Sequence, residues 1–106
     1  MILTTTETIE GMKVSKTLGL VRGNTIRARN IGRDIIAGLR TIIGGEITGY
    51  TVLMSEARDQ ALQRMEEEAK KMDADAVICV RFTTSTVMRG AAELLAYGTA
   101  VKLRRQ

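Results

Sequence analysis

The chain has 106 residues, 44% apolar and 26% charged, with a net charge of +4, one cysteine and no histidine or tryptophan. That length allows one domain, residues 1–106, and the composition excludes a disordered chain. A lone Cys79 excludes an internal disulfide, and the absence of histidine leaves no Cys–His or Ser–His pair for nucleophilic catalysis and no imidazole for a metal.

In chain order, Ile2 to Ile9 is rich in threonine and β-branched residues and predicts a strand. Lys13 to Arg22 predicts a second, with Val14, Leu18 and Leu20 on one parity, ended by the Gly23-Asn24 pair, which tolerates positive φ. Asn30 is placed to cap a helix, with Asp34 in its first turn. Ile31, Ile35, Leu39, Ile42 and Ile43 give that helix an apolar face, and Gly44-Gly45 stops it.

The strongest periodicity follows. From Tyr50 to Met72, the residues Met54, Ala57, Ala61, Met65, Ala69 and Met72 recur every three or four positions, one stripe of a long helix. Glu66–Lys70 and Glu67–Lys71 are i,i+4 pairs in the favourable order, each worth about 0.2–0.5 kcal/mol, so the Glu66-Glu67-Glu68 triplet reads as a solvated face. Asp75 to Met88 alternates as a strand, with Ala76, Ile78, Val80 and Phe82 on one side and Val77, Cys79, Arg81 and Thr83 on the other. Arg89-Gly90 turns the chain into a final strand, Ala91 to Arg104.

These elements predict an α+β fold, a small antiparallel sheet with two helices packed on one face in the order ββααββ. Both parities of the last two strands carry apolar side chains, whereas a sheet with one wet face shows one polar parity. Two helices cover one face, so a second copy of the chain is the economical cover for the other. A homo-oligomer is the expected partner.

Chemistry is sparse. Between Arg22 and Arg33 stand four arginines (Arg22, Arg27, Arg29, Arg33) and no acid. Arg27, Arg29, Asn30, Arg33 and Asp34 gather at the predicted helix start, where backbone N–H groups favour anions and guanidinium forks suit phosphate or carboxylate. With Tyr50 and Arg58 as further lining, they are the candidate ligand-binding residues, for a small anionic ligand held between subunits. Solvated or ion-paired surface arginines are the plainer alternative. Nucleic acid is disfavoured, because only Tyr50, Phe82 and Tyr97 could stack on bases. Cys79 is the one soft metal ligand. It could build a site by symmetry, although between Ile78 and Val80 it reads first as a small core residue. No cofactor and no catalytic residue is expected. An enzyme acting on a small anionic substrate is the third reading, after an anion-binding and a metal-binding protein. The N-terminus lacks a signal-peptide pattern and no run reaches the roughly 18 apolar residues of a membrane span, so the expected location is the cytoplasm.

The run from Asn30 through Gly32-Arg33-Asp34 to Leu39-Arg40, then Gly44-Gly45, Tyr50, Ala57-Arg58, Ala74-Asp75-Ala76-Val77 and Gly98-Thr99-Ala100-Val101-Lys102, closely resembles the YbjQ-like family. The resemblance covers essentially the whole chain. It implies a dodecin-like subunit in a ring, typically a pentamer, an uncharacterised activity and a label of heavy-metal binding. It brings no catalytic residues. This chain departs from the family's pattern with Asp73 where a glycine usually ends the long helix. It also has Arg81 and Thr83 where acids are usual, and Asn24 in place of a glutamate, and these last departures remove oxygen ligands.

Overall fold

A computed structural model describes residues 1–27, 48–88 and 91–106. Its elements are strands β1 (Ile2–Leu3) and β2 (Met12–Arg27), helix α1 (Thr48–Lys71), and strands β3 (Ala76–Met88) and β4 (Ala91–Arg105). The four strands form one sheet in the order β1-β3-β4-β2. β4 pairs antiparallel with both β2 and β3, while β1 pairs parallel with β3 through Ile2↔Ala76 and Leu3↔Val77.

This corrects the expected ββααββ architecture. Among the described residues there is one helix against four strands, and the sheet is mixed rather than antiparallel. The helix expected after Asn30 lies outside the described residues, as does the Arg89-Gly90 turn. The expected first strand shrinks to two residues because the threonines that follow bond among themselves. Thr6 N–H donates to Thr4 Oγ1 at 3.2 Å and Thr6 Oγ1 donates to the Thr8 carbonyl at 2.6 Å. Such local hydroxyl bonds compete with a ladder.

β2 does not stop at Gly23-Asn24 but runs on to Arg27, giving 16 residues. Gly23 serves the packing rather than a turn. A Cβ there would lie 2.2 Å from the Ala61 carbonyl oxygen and 2.3 Å from the Met65 nitrogen, so α1 sits directly on the bare backbone of β2. The helix makes that approach with small side chains: Ala57, Ala61, Met65 and Ala69 are all 0% exposed. Opposite them, the core is completed by Val21 on β2, Val77 and Val80 on β3, and Ala96 and Ala100 on β4. Buried Thr25 donates its hydroxyl to the Ala57 carbonyl, 3.3 Å away.

The helix closes with a left-handed Asp73, φ 59°. Ala74 N–H reaches the Ala69 carbonyl and Asp73 N–H the Lys70 carbonyl, at 3.1 and 3.0 Å. This is the paired bonding of a Schellman cap, made here without its usual glycine. Of the two predicted helix pairs, Lys70 meets Glu66, but Lys71 pairs with Glu68 instead of Glu67.

A β-bulge corrects the predicted parity of β3. The register steps from Ile78↔Thr99 to Arg81↔Tyr97, and Cys79 takes φ 56°. The extra residue turns both Val77 and Val80 toward the helix, where strict alternation would have separated them.

Candidate functional site

With α1 on one face, the opposite face can be read from the register, since directly paired residues share a side. It carries Leu20 opposite Thr99, Arg22 opposite Tyr97 and Asn24 opposite Leu95 on one flank, and Arg81 and Thr83 opposite Tyr97 and Leu95 on the other. Leu20 is 68% exposed and Ile26 56%, so apolar side chains on this face stand in water. Leu95, Tyr97 and Thr99 are half-buried.

The sheet also ends in two open edges. Among the described residues β2 is an edge strand along its whole length. Its first half is broken by shifts of register at Val14/Lys16 and Thr17/Gly19 and carries Lys13 and Lys16, features that discourage pairing with another strand. From Gly19 to Arg27 its register is regular. Beside that stretch a groove of about 340 Å³ opens between β2 and the C-terminal half of α1, lined by Leu20, Val21, Arg22, Asn24, Glu68 and Met72. Arg64 reaches across from the helix and donates to the Asn24 carbonyl, while Asn24 Nδ2 donates to Glu93 Oε2 at 3.1 Å. At the other edge, β1 and the turn after it cover only the start of β3: Thr4 N–H bonds to Val77, and Cys79 and Val80 N–H bond to Thr6 and Thr4. Beyond Val80, no strand among the described residues flanks β3 on that side.

The predicted anion-binding residues are only partly in view. Arg27 ends β2 and Tyr50 lies in the first turn of α1. Arg58 is exposed on the helix, with a long 3.4 Å contact to Ser55 Oγ. Arg29, Asn30, Arg33 and Asp34 lie outside the described residues. Arg22, which the candidate set left out, lines the groove; its place in the four-arginine run was the signal.

Metal chemistry finds little support in one copy. Among the described residues no three His, Cys, Asp or Glu side chains converge to hold an ion. Cys79 is half-buried rather than in the core, with Sγ 3.9 Å from the Thr6 carbonyl. Asp73 and Asp75 are engaged otherwise. Lys102 Nζ lies 3.6 Å from Asp73 and 3.3 Å from Asp75, and Leu103 N–H donates to Asp75 Oδ2 at 2.8 Å. The Leu103 N–H, first of all, holds the Asp75 carboxyl below its usual range; desolvation opposes it, the Lys102 ammonium adds to it, and Asp75 in turn raises Lys102. These donors do not fit a heavy-metal site. No described helix is long and apolar enough to cross a membrane.

The family model described as "Putative heavy-metal-binding" matches residues 1–104. A UPF0145 protein of Dehalococcoides mccartyi is 62% identical over 101 residues, covering 95% of this chain and 97% of its own. Another, of Halorubrum lacusprofundi, is 64% identical over 104 residues, covering 98% and 100%. Among solved structures, a protein of unknown function of the DUF74 family from Pediococcus pentosaceus superposes with a TM-score of 0.68 over 98% of both chains. At 17% identity that likeness concerns the fold alone.

Proposed function

The chain belongs to the YbjQ family of uncharacterised UPF0145 proteins, and from that premise we propose that it is a non-enzymatic, homo-oligomeric binding protein whose ligand site lies between subunits. The observation that carries this reading is the half-covered sheet. One face packs on α1, and the other leaves Leu20 68% and Ile26 56% exposed beside the Gly19–Arg27 stretch of β2, which no other described strand flanks on its outer side. A regular strand edge and bare aliphatic side chains are liabilities in a solitary protein, and a closed assembly removes both.

For the ligand, the four arginines from Arg22 to Arg33 favour a small anion, repeated around the assembly as a cationic rim. Native mass spectrometry of untagged protein tests both parts. A multiple of 11.6 kDa carrying an anionic adduct supports the reading. A bare assembly that binds neither inorganic pyrophosphate nor ATP, or binds them as well after Arg27→Ala plus Arg29→Ala, removes the anion part.

The family description offers heavy-metal binding as a second reading. With a single cysteine per chain it requires thiolates from several copies. Metal content that falls with Cys79→Ser would support it.

A further inference from the structure

We infer that the face of the sheet away from α1 holds a mononucleotide, its ring stacked on Tyr97 and its phosphates on Arg22. This rests on the anion-binding reading and gives that anion a place and a chemical class. The strand register carries it. Arg22 on β2 pairs with Tyr97 on β4, and Tyr97 pairs with Arg81 on β3, so one phenol stands in a row between two arginines on the same face. Neighbouring strands lie about 4.8 Å apart, which sets the two arginine Cα atoms roughly 10 Å from each other.

The two arginines differ in what they have left to give. Arg81 Nη1 donates to the Thr5 and Val80 carbonyls at 2.9 Å each, a positive charge fixed beside the phenol. Arg22 is exposed, and among the described residues neither its guanidinium nor the Tyr97 hydroxyl has a hydrogen-bond or ion-pair partner. A guanidinium with its donors unspent takes a phosphate through paired N–H bonds. The nearby acids are occupied. Glu93, four residues along β4 from Tyr97 and so about 13 Å away, accepts from Asn24 Nδ2 at 3.1 Å. Glu68, across the groove from Arg22, pairs with Lys71 at 3.6 Å.

Apolar side chains bracket the same row. Leu95 stands two residues before Tyr97 on its side of β4, and Leu20, 68% exposed, stands diagonally opposite Tyr97 on β2. A free phosphate uses none of this apolar surface, and an uncharged ring leaves Arg22 unmatched, so the row suits the two joined. One aromatic side chain serves one base, which fits a mononucleotide rather than a nucleic-acid strand. Arg27, at the end of β2, and Arg29 add positive charge that draws in any phosphate alike.

The test is calorimetric titration of the untagged protein with ADP, pyrophosphate and adenosine, ADP and pyrophosphate having the same number of phosphates. ADP binds about fivefold or more tighter than pyrophosphate, the worth of one stacked base, and about tenfold or more tighter than adenosine, which lacks the charged contact. Tyr97→Leu lowers ADP to the level of pyrophosphate, Arg22→Gln weakens both about tenfold or more, and Arg27→Ala plus Arg29→Ala weakens both by one common factor. ADP held no better than pyrophosphate, an advantage that survives Tyr97→Leu, or binding indifferent to Arg22→Gln overturns the proposal. If a variant fails to fold by circular dichroism, proton NMR of the wild-type chain decides. With two tyrosines, one phenylalanine and no tryptophan or histidine, its aromatic spectrum is sparse. The Tyr97 ring protons must move upfield with ADP and not with pyrophosphate, and ring protons that ignore ADP overturn the proposal. A protein that binds neither ADP nor pyrophosphate sinks the anion reading itself, a distinguishable result.

Discussion

Replacing Gly23 with alanine tests how α1 lies on the sheet. The new Cβ would sit 2.2 Å from the Ala61 oxygen, 2.3 Å from the Met65 nitrogen and 2.8 Å from the Arg64 Cβ. Two of those atoms are backbone, so no rotamer change relieves the clash. Restoring an ordinary separation near 3.4 Å needs the helix to lift by about 1 Å, which loosens the Ala57, Ala61, Met65 and Ala69 contacts together. Overpacking usually costs about 1–3 kcal/mol, and a rigid obstacle places this substitution at the upper end, about 3 kcal/mol. For a domain of this size that is a fall in Tm of roughly 12–24 °C. The matched control is Gly11→Ala. Gly11 has φ +77° but nothing within 4 Å of the added Cβ, so only the left-handed backbone penalty of about 1–2 kcal/mol applies. Thermal melts followed by circular dichroism, at one fixed protein concentration, compare the two. A Gly23→Ala chain that melts within a few degrees of wild type would refute the close approach, and with it the reason β2 runs past a pair that reads as a turn.

Asp73→Gly should stabilise the chain by about 0.5–1 kcal/mol in chemical denaturation, because glycine holds the left-handed cap without strain; a loss of stability would show that the Lys102 contact outweighs the backbone. Asp75, whose folded pKa is depressed, contributes stability that is present above its ordinary value of 3.8 and is lost as pH falls through the lower folded value. Asp75→Asn should therefore flatten the dependence of stability on pH below about 4, and an unchanged slope there would contradict the role of the Leu103 and Lys102 bonds. Metal analysis of wild type and Cys79→Ser should give equal, near-zero content, and a metal lost with the thiol would favour the metal-binding reading.

The parts of the fold set by one strong period were legible from the residues alone. The alanine–methionine stripe located α1 to within two residues at its start, and alternation located β3 and β4 to within one residue at each end. What escaped was set by contacts between elements. Gly23-Asn24 has the composition of a turn, yet the requirement at Gly23 is a missing Cβ under a helix that begins 25 residues later. Thr4-Thr5-Thr6 has strand propensity, but its hydroxyls satisfy one another first. The bulge at Cys79 leaves no mark in a pattern whose two parities are both apolar, so the sides of Val80 and Arg81 were exchanged. For the site, the surplus of apolar residues over what the helices could cover was readable, and it survives in Leu20, Ile26 and Phe82. The open edges were not, because strand order is not written in local periodicity.

Sedimentation equilibrium of the untagged wild-type chain, from about 1 to 100 μM, tests the central claim most directly. A single closed species at a fixed multiple of 11.6 kDa is the predicted result. A monomer across that range, well folded and unassociated, would contradict it.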